Sequence, residues 1–164
     1  MSIRNAAKAI IVDHGKMLLN KNRNTVGDMC NGLPNGSIYY DLPGGGQNQY
    51  ETLEEAVRRE CLEEAGCIVA VERLAAVYEE ISMNDRFRRE YPQYAHKVHF
   101  VFVCHLTDAP MTQPCEKDLD MLGSEWVGLE DMKNIPLYPR IIHERLATII
   151  NSKTVLYLGS ERVP

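Results

Sequence analysis

Three glutamates, Glu60, Glu63 and Glu64, stand close together in Leu53-Glu54-Glu55-Ala56-Val57-Arg58-Arg59-Glu60-Cys61-Leu62-Glu63-Glu64-Ala65-Gly66, a segment with helical spacing. At about 100° per residue, Leu53, Ala56, Val57, Cys61 and Ala65 form one apolar arc. Glu60 and Glu64 fall inside that arc, near roughly 340° and 20° from Leu53, and Glu63 sits at its edge. Carboxylates are almost never fully buried unless they are paired or bound to a metal. Glu60 and Glu64 are also an i, i+4 like-charge pair near a helix C-terminus, where the dipole favours cations, and each effect opposes the helix by about 0.3 to 1 kcal/mol. Glu54 and Glu55 can pair with Arg58 and Arg59, and Arg59 can reach Glu63, whereas Glu60 and Glu64 lack such an i+4 partner within the helix. A divalent cation removes the anomaly, because hard cations take oxygen ligands and neutralise clustered carboxylates. The competing reading is a solvated acidic face, which requires the helix to turn its other side to the core, with Leu62 as the only apolar support there.

Other chemistry-bearing clusters are weaker. Strand alternation puts His96 on one face and His99 and His105 on the other, with no third ligand nearby, so zinc is disfavoured and surface or core histidines are expected. The stretch from Arg86 to Tyr94 interleaves cations with aromatics and could stack a base or hold a phosphate, or be an exposed loop covering a sheet edge. Lys21 and Arg23 carry the same ambiguity. No P-loop, GxSxG or Cys/His nucleophile arrangement is present.

Those glutamates need a scaffold, and the chain supplies its signals. Ala6–Val12 and Lys16–Leu19 flank Asp-His-Gly and read as a hairpin. Residues Asn20 to Ser37, dense in Asn, Gly, Asp and Pro, read as a long loop. Ile38–Leu42 reads as a short strand that stops at Pro43-Gly44-Gly45-Gly46. Thr52 and Glu55 are placed as a capping box for a helix that Gly66 ends. Extended segments follow at Cys67–Glu80, Lys97–Leu106 and Ser124–Val127, and a last helix covers Arg140–Asn151. Strands on both sides of one central helix, then a last helix, predict an α/β fold with a mixed sheet covered on both faces.

Gly45, then Glu51, Arg59-Glu60-Cys61, Glu63-Glu64 and Gly66-Cys67 resemble the full 23-residue Nudix box in residue type and spacing. Two features depart from its usual form. Cys61 and Cys67 occupy positions usually aliphatic, and Gln47-Asn48-Gln49-Tyr50 lacks the acid and glycine that many members carry before Glu51. The resemblance continues loosely into Leu42-Pro43-Gly44-Gly45 and Glu125-Trp126-Val127. It implies an α/β/α sandwich around a mixed sheet and Mg²⁺- or Mn²⁺-dependent hydrolysis of a nucleoside diphosphate linked to another moiety. Carried over by position, Glu60, Glu63 and Glu64 resemble the metal carboxylates, with Gly45 beside them, and Arg59 resembles the arginine that orients them. Glu63, Arg59 and Glu51, with an acid from outside the box, form the expected catalytic set. Candidates for that outside acid are Glu116, Asp118 and, first by its distance from the Glu125-Trp126 strand, Asp120. Gly44, Arg23, Arg88 and Tyr94 are the expected substrate contacts. Members are often dimers, so a homodimer is among the expectations.

Length and composition set the outer limits. The 164 residues, 45% hydrophobic and 25% charged, fit a single domain spanning 1–164 with no need of a disulfide or structural-metal staple. The formal charge of −5 disfavours general affinity for nucleic acid or anionic membrane, while leaving room for a phosphate brought in by a cation. Five cysteines without a CxxC pair, and no apolar run long enough for a signal or a membrane span, point to a cytoplasmic protein with free thiols. The leading functional reading is therefore a pyrophosphohydrolase acting on a nucleotide-derived small molecule: a nucleotide sugar, ADP-ribose, a dinucleoside polyphosphate or a nucleoside triphosphate. A non-catalytic nucleotide sensor and an RNA 5′-end hydrolase are the alternatives. The first is opposed by the intact costly glutamates, the second by the net acidity.

Overall fold

Alternation along the first strand sends Ala7, Ala9 and Ile11 to one face and Ala6, Lys8 and Ile10 to the other, and this division organises the molecule. A computed structural model describes residues 3–27, 32–115 and 120–164. In chain order its elements are β1 (Arg4–Asp13), β2 (Lys16–Arg23), β3 (Ile38–Asp41), β4 (Gly44–Gly46), α1 (Leu53–Ala65), β5 (Val69–Ser82), α2 (Asp85–Glu90), β6 (His96–Leu106), β7 (Met121–Gly128), β8 (Leu137–Tyr138), α3 (Arg140–Asn151) and β9 (Leu156–Val163), with a 3₁₀ turn at Met132–Asn134.

The strands form one mixed sheet in the order β8-β3-β2-β1-β6-β5-β9, with β4 on β1 and β7 on β2. β1 is the hinge of this arrangement. It runs parallel to β6 and antiparallel to β4, while its end pairs with β2 through Val12↔Met17 and Asp13↔Lys16. On one face Ala7, Ala9, Leu18 and Phe102 pack against Ala56, Val57, Cys61 and Ala65 of α1. On the other, Ile10, Met17, Ala76 and Val101 pack against Ile142, Leu146 and Ile149 of α3. Helices on both faces of a mixed sheet are the α/β/α sandwich expected from the sequence.

The central helix forms as its ends dictate. Thr52 accepts from the Glu55 N–H at 3.2 Å while the Glu55 carboxylate accepts from the Thr52 N–H at 2.8 Å. Gly66 closes the helix at φ 65°, with its N–H on the Leu62 carbonyl at 3.0 Å. Elsewhere the structure extends or corrects the sequence reading. β2 continues through Asn20 to Arg23, because Asn20, Asn22 and Arg23 pair with both β3 and β7, or with β3, where a loop is expected. The three glycines form strand β4 against Ala6, Ala7 and Lys8 rather than ending one. Asp85–Glu90 is helical, capped by Asn84, and β9 follows the last helix to pair in parallel with β5.

Among the described residues, Cys61, Cys67, Cys104 and Cys115 are free thiols, and no helix is long and apolar enough to cross a membrane. Cys30, Glu116 and Asp118 lie outside the described residues.

Candidate active site

The capping box and the Gly66 stop fix the rotation of α1, and that rotation turns Glu64 inward. Glu64 is 7% exposed, and its Oε2 accepts from the Asn20 side chain at 2.7 Å and from the Gly44 N–H at 2.8 Å. Both donors come from the sheet: Asn20 is held by Ser124 of β7 at 2.9 Å, and Gly44 starts β4. Burial is the larger influence on this carboxyl and pushes its pKa up to about 7, against the charge of Lys8 and the two donors, which favour ionisation.

Glu60 lies one turn earlier, under the glycine strand. A Cβ on Gly45 would come within 2.6 Å of the Glu60 carboxylate, so a side chain there would push that carboxylate out of its present position. Gly44 has φ 127°, and a Cβ there would collide with the Ala7 carbonyl, so this glycine is required by the β1 pairing that also presents its N–H to Glu64.

Arg59 gathers the remaining acids. Its Nε donates to Glu51 at 2.8 Å, Nη1 to Glu60 at 2.8 Å and Glu63 at 2.9 Å, and Nη2 to Glu51 at 3.0 Å and the Gly46 carbonyl at 2.9 Å. These bonds, Glu51's first, raise the guanidinium's pKa further, while Arg59 holds the Glu51 carboxyl below its ordinary value. Glu60 therefore has an intrahelical partner after all, at i−1, which the i+4 rule does not consider. Arg58 pairs with Glu54 at 3.0 Å as expected, whereas Glu55 is committed to the cap and Arg59 turns to Glu51 instead.

These carboxylates are oxygen donors on one helix face, next to a glycine strand with no side chains in the way, and the set fits a hard divalent cation. Among the described residues, however, no three His, Cys, Asp or Glu side chains converge closely enough to hold an ion as they stand. Glu60 and Glu63 point to Arg59 while Glu64 points to Gly44, so coordination requires the first two to exchange Arg59 for the metal by side-chain rotation.

Gly44 and Gly45 also wall an open cleft of about 170 Å³ on the α3 side of the sheet. Its lining is basic and aromatic near the glycines, with Arg4, Lys8, Tyr39 and Tyr94, and continues to Glu80, Lys97, His99 and Tyr138. Lys8 is the cation that sequence reading missed. Its ammonium donates to the Leu42 carbonyl at 3.1 Å, to the Gly44 carbonyl, and to Asp41 at 3.2 Å. Burial disfavours its charge, but Asp41, Glu64 and Glu60 outweigh it and keep Lys8 protonated above the ordinary range. The available signal is a lone lysine within Ala6-Ala7-Lys8-Ala9-Ile10. His99 is buried and stacked on Tyr78 at 5.8 Å, neither ring nitrogen has a partner among the described residues, and burial holds its pKa well below the ordinary value.

Of the expected residues, the structure brings together Gly44, Gly45, Glu51, Arg59, Glu60, Glu63 and Glu64. Tyr94 stands in the cleft, with the Arg4 guanidinium 5.0 Å above its ring. Arg88 instead donates to the Ser82 carbonyl at 2.5 Å and to Met83, and Arg23 is exposed at the end of β2, paired with Ile38. Asp120 accepts from the Thr25 hydroxyl, and its carbonyl accepts from the Arg23 N–H at 2.8 Å. His96 and His105 hydrogen-bond with Glu79 and Glu72 at 2.8 and 2.5 Å, as two separate contacts.

A family model described as NUDIX domain matches residues 2–146. This chain belongs to the Nudix family. Solved structures agree on the fold. A Nudix hydrolase from Nitrosomonas europaea aligns with TM-score 0.66 at 16% identity over 89% of this chain and 87% of its own. An ADP-ribose pyrophosphatase from Streptococcus suis aligns at 0.61 and 20%, over 95% and 99%. A MutT Nudix hydrolase from Burkholderia pseudomallei aligns at 0.59 and 28%, over 89% and 99%. No curated protein matches the sequence significantly. As a Nudix protein, the chain falls within the pyrophosphohydrolases that act on acid anhydrides of nucleotides.

Proposed function

We propose that this Nudix protein is a Mg²⁺- or Mn²⁺-dependent hydrolase that cleaves the diphosphate of a nucleoside diphosphate linked to another moiety. Nucleotide sugars, ADP-ribose, dinucleoside polyphosphates and nucleoside triphosphates are the candidate substrates. The observation that carries this reading is the placement of Glu60 and Glu64 directly behind Gly45 and Gly44, which form the wall of a cleft lined on the same side by Arg4 and Lys8. Carboxylates behind a bare backbone strand, with Arg4 and Lys8 on its cleft side, suit a metal-bridged phosphate at that strand. Related folds named ADP-ribose pyrophosphatase and UDP-X diphosphatase favour the same substrate class.

Glu60, Glu63 and Glu64 would hold the metal, with Gly45 offering backbone beside them. When bound, the cation supplies charge neutralisation at the phosphoryl oxygens and lowers the pKa of attacking water. The chain's own groups do the positioning. Arg59 fixes Glu51 and Glu63 through its fork, and on this reading one of these two carboxylates takes the proton of the attacking water. Lys8, tied to the carbonyls of Leu42 and Gly44, stiffens the strand on which the phosphate lies and adds positive charge under it. Asp120 remains the proposed acid from outside the box, with Thr25 as its present partner. Arg23, Arg88 and Tyr94 are retained as proposed substrate contacts, of which Tyr94 alone lines the cleft beside Gly44.

Incubating the protein with that substrate panel and Mg²⁺, and identifying products, tests the reading. Diphosphate cleavage of at least one member, lost on Glu64→Gln, is the expected result. Tight binding of one member with no turnover of any would replace the hydrolase by a sensor.

A further inference from the structure

The cleft does not end at Tyr138 and Pro139. Beyond them a second cavity of about 220 Å³ opens, sharing Glu80, Tyr138 and Pro139 with the first. Its outer wall is β9, through Glu161 and Val163, a strand that lies past the last residue matched by the family model. Parallel pairing with β5 sets Glu161 opposite Glu80, so two carboxylates face the same space from adjacent strands.

We propose that β9 builds a distal subsite that takes an uncharged ring carrying N–H or O–H donors, the edge of a nucleobase or the hydroxyls of a sugar. The chemistry of the lining selects for this class. Glu161 accepts from the Tyr78 hydroxyl at 2.6 Å, and Glu80 from the Lys97 ammonium at 2.7 Å. An ionised carboxylate has about four lone-pair sites, so each can accept further donors. Two carboxylates repel a second phosphate, while Arg140 on the opposite wall, its Cζ 5.7 Å from the Tyr138 ring, opposes an ammonium. A purely apolar group would strip water from these charges without replacing its hydrogen bonds, which is unfavourable. A neutral ring avoids all three penalties: its donors meet Glu80 and Glu161, its acceptors meet Arg140, and its face can lie against Tyr138.

This inference rests on the reading of the cleft as a nucleotide site, and metal-free calorimetry separates the two. One arm uses nucleoside diphosphates that differ in the base. The other holds the base constant and compares the diphosphate with its hexose conjugate and with the triphosphate. The expected result is a preference of about tenfold or more in one arm, the value of one charged hydrogen bond, which identifies base or sugar as the occupant. Glu161→Ala should collapse that preference to within about twofold while the other arm stays as it was. Arg140→Ala reads the same comparison independently, should Glu161→Ala not fold. Two flat arms in the native protein, a preference that survives both substitutions, or tightest binding of the triphosphate lost on Arg140→Ala would overturn the proposal. Binding without Mg²⁺-dependent turnover removes the hydrolase reading and leaves the subsite. Turnover with an indifferent Glu161→Ala does the reverse.

Discussion

Burial pushes the Glu64 carboxyl up to about 7 because the apolar side of α1 carries it into the sheet, where two donors and the charge of Lys8 compensate only part of its lost hydration. The same oxygens are what a cation needs. Glu64→Gln keeps the shape and removes the charge, so two opposite effects are expected from one substitution. Mg²⁺-dependent turnover should fall by more than about 100-fold, since even indirect supports of metal ligands are worth 10- to 100-fold. The metal-free protein at pH 8 should become more stable, by on the order of 1 to 3 kcal/mol, because ionising a carboxyl with a raised pKa opposes folding there. Retained activity, or a lower melting temperature at pH 8, would contradict the account. Arg59 behaves differently, since it joins Glu51, Glu60 and Glu63 that would otherwise repel one another. Arg59→Ala should destabilise by about 1 to 3 kcal/mol, discounted for its partial exposure, and also lose activity. Arg59→Lys should recover little, because a point charge cannot serve acceptors on three sides as the guanidinium fork does. Full recovery on urea unfolding and in the assay would show that charge alone suffices.

At the scale of elements, β4 is a strand made by its backbone. Gly44→Ala puts a side chain against the Ala7 carbonyl at a positive φ, so the β1–β4 pairing must shift, with an expected loss of about 2 kcal/mol or more. Gly45→Ala meets instead the mobile end of Glu60, so activity should fall with much less change in melting temperature. Equal stability losses at both positions would mean that Gly45 serves packing alone. The sequence makes α1 legible because its signals are local: Thr52, Glu55 and Gly66 state the ends, and the spacing of Leu53 to Ala65 states the face. It makes the Asn20–Arg23 half of β2 illegible because asparagine disfavours strands on its own. Asn20 and Asn22 are strand residues through partners far away in sequence, Glu64 and Asp41. β9 is hidden for the same reason: Gly159 and the charged residues after it give no strand pattern, and its pairing to β5 is wholly long-range. Within the site, the glutamates were legible as misplaced charges on a wheel, and Lys8 was hidden because one lysine in an apolar strand has many innocent explanations.

For the whole molecule, Glu64 and His99 are buried on opposite faces of one sheet and pull stability in opposite directions with pH. The folded pKa of Glu64, about 7, lies above its unfolded value of 4.5, so between those values the native state holds a proton that the unfolded state releases. Stability from this group rises as pH falls through the window, by about 1.4 kcal/mol per unit at most. His99 has a folded pKa well below its ordinary 6.5, so the unfolded state takes up a proton that the native state refuses, and stability falls as pH drops below 6.5. The carboxyls that Arg59, Thr52 and other donors hold down, Glu51 and Glu55 among them, titrate below this window. The two slopes therefore oppose each other as pH falls from about 6.5 toward 4.5, and the melting temperature of the metal-free protein should change less there than that of a variant lacking either group. Glu64→Gln leaves the His99 slope alone, so its melting temperature should fall on acidification. His99→Phe leaves the Glu64 slope, so its melting temperature should rise. Added Mg²⁺ acts on only one of them. Ion binding stabilises by RT ln(1 + [L]/Kd), about 2.7 kcal/mol at 100 times Kd, and must displace the Glu64 proton as pH falls below about 7. The Mg²⁺-induced rise in melting temperature should accordingly be larger at pH 8 than at pH 6 in the native protein and in His99→Phe, and should be lost at both values in Glu64→Gln. A Mg²⁺ shift in Glu64→Gln equal to that of the native protein would place the metal elsewhere than on this helix.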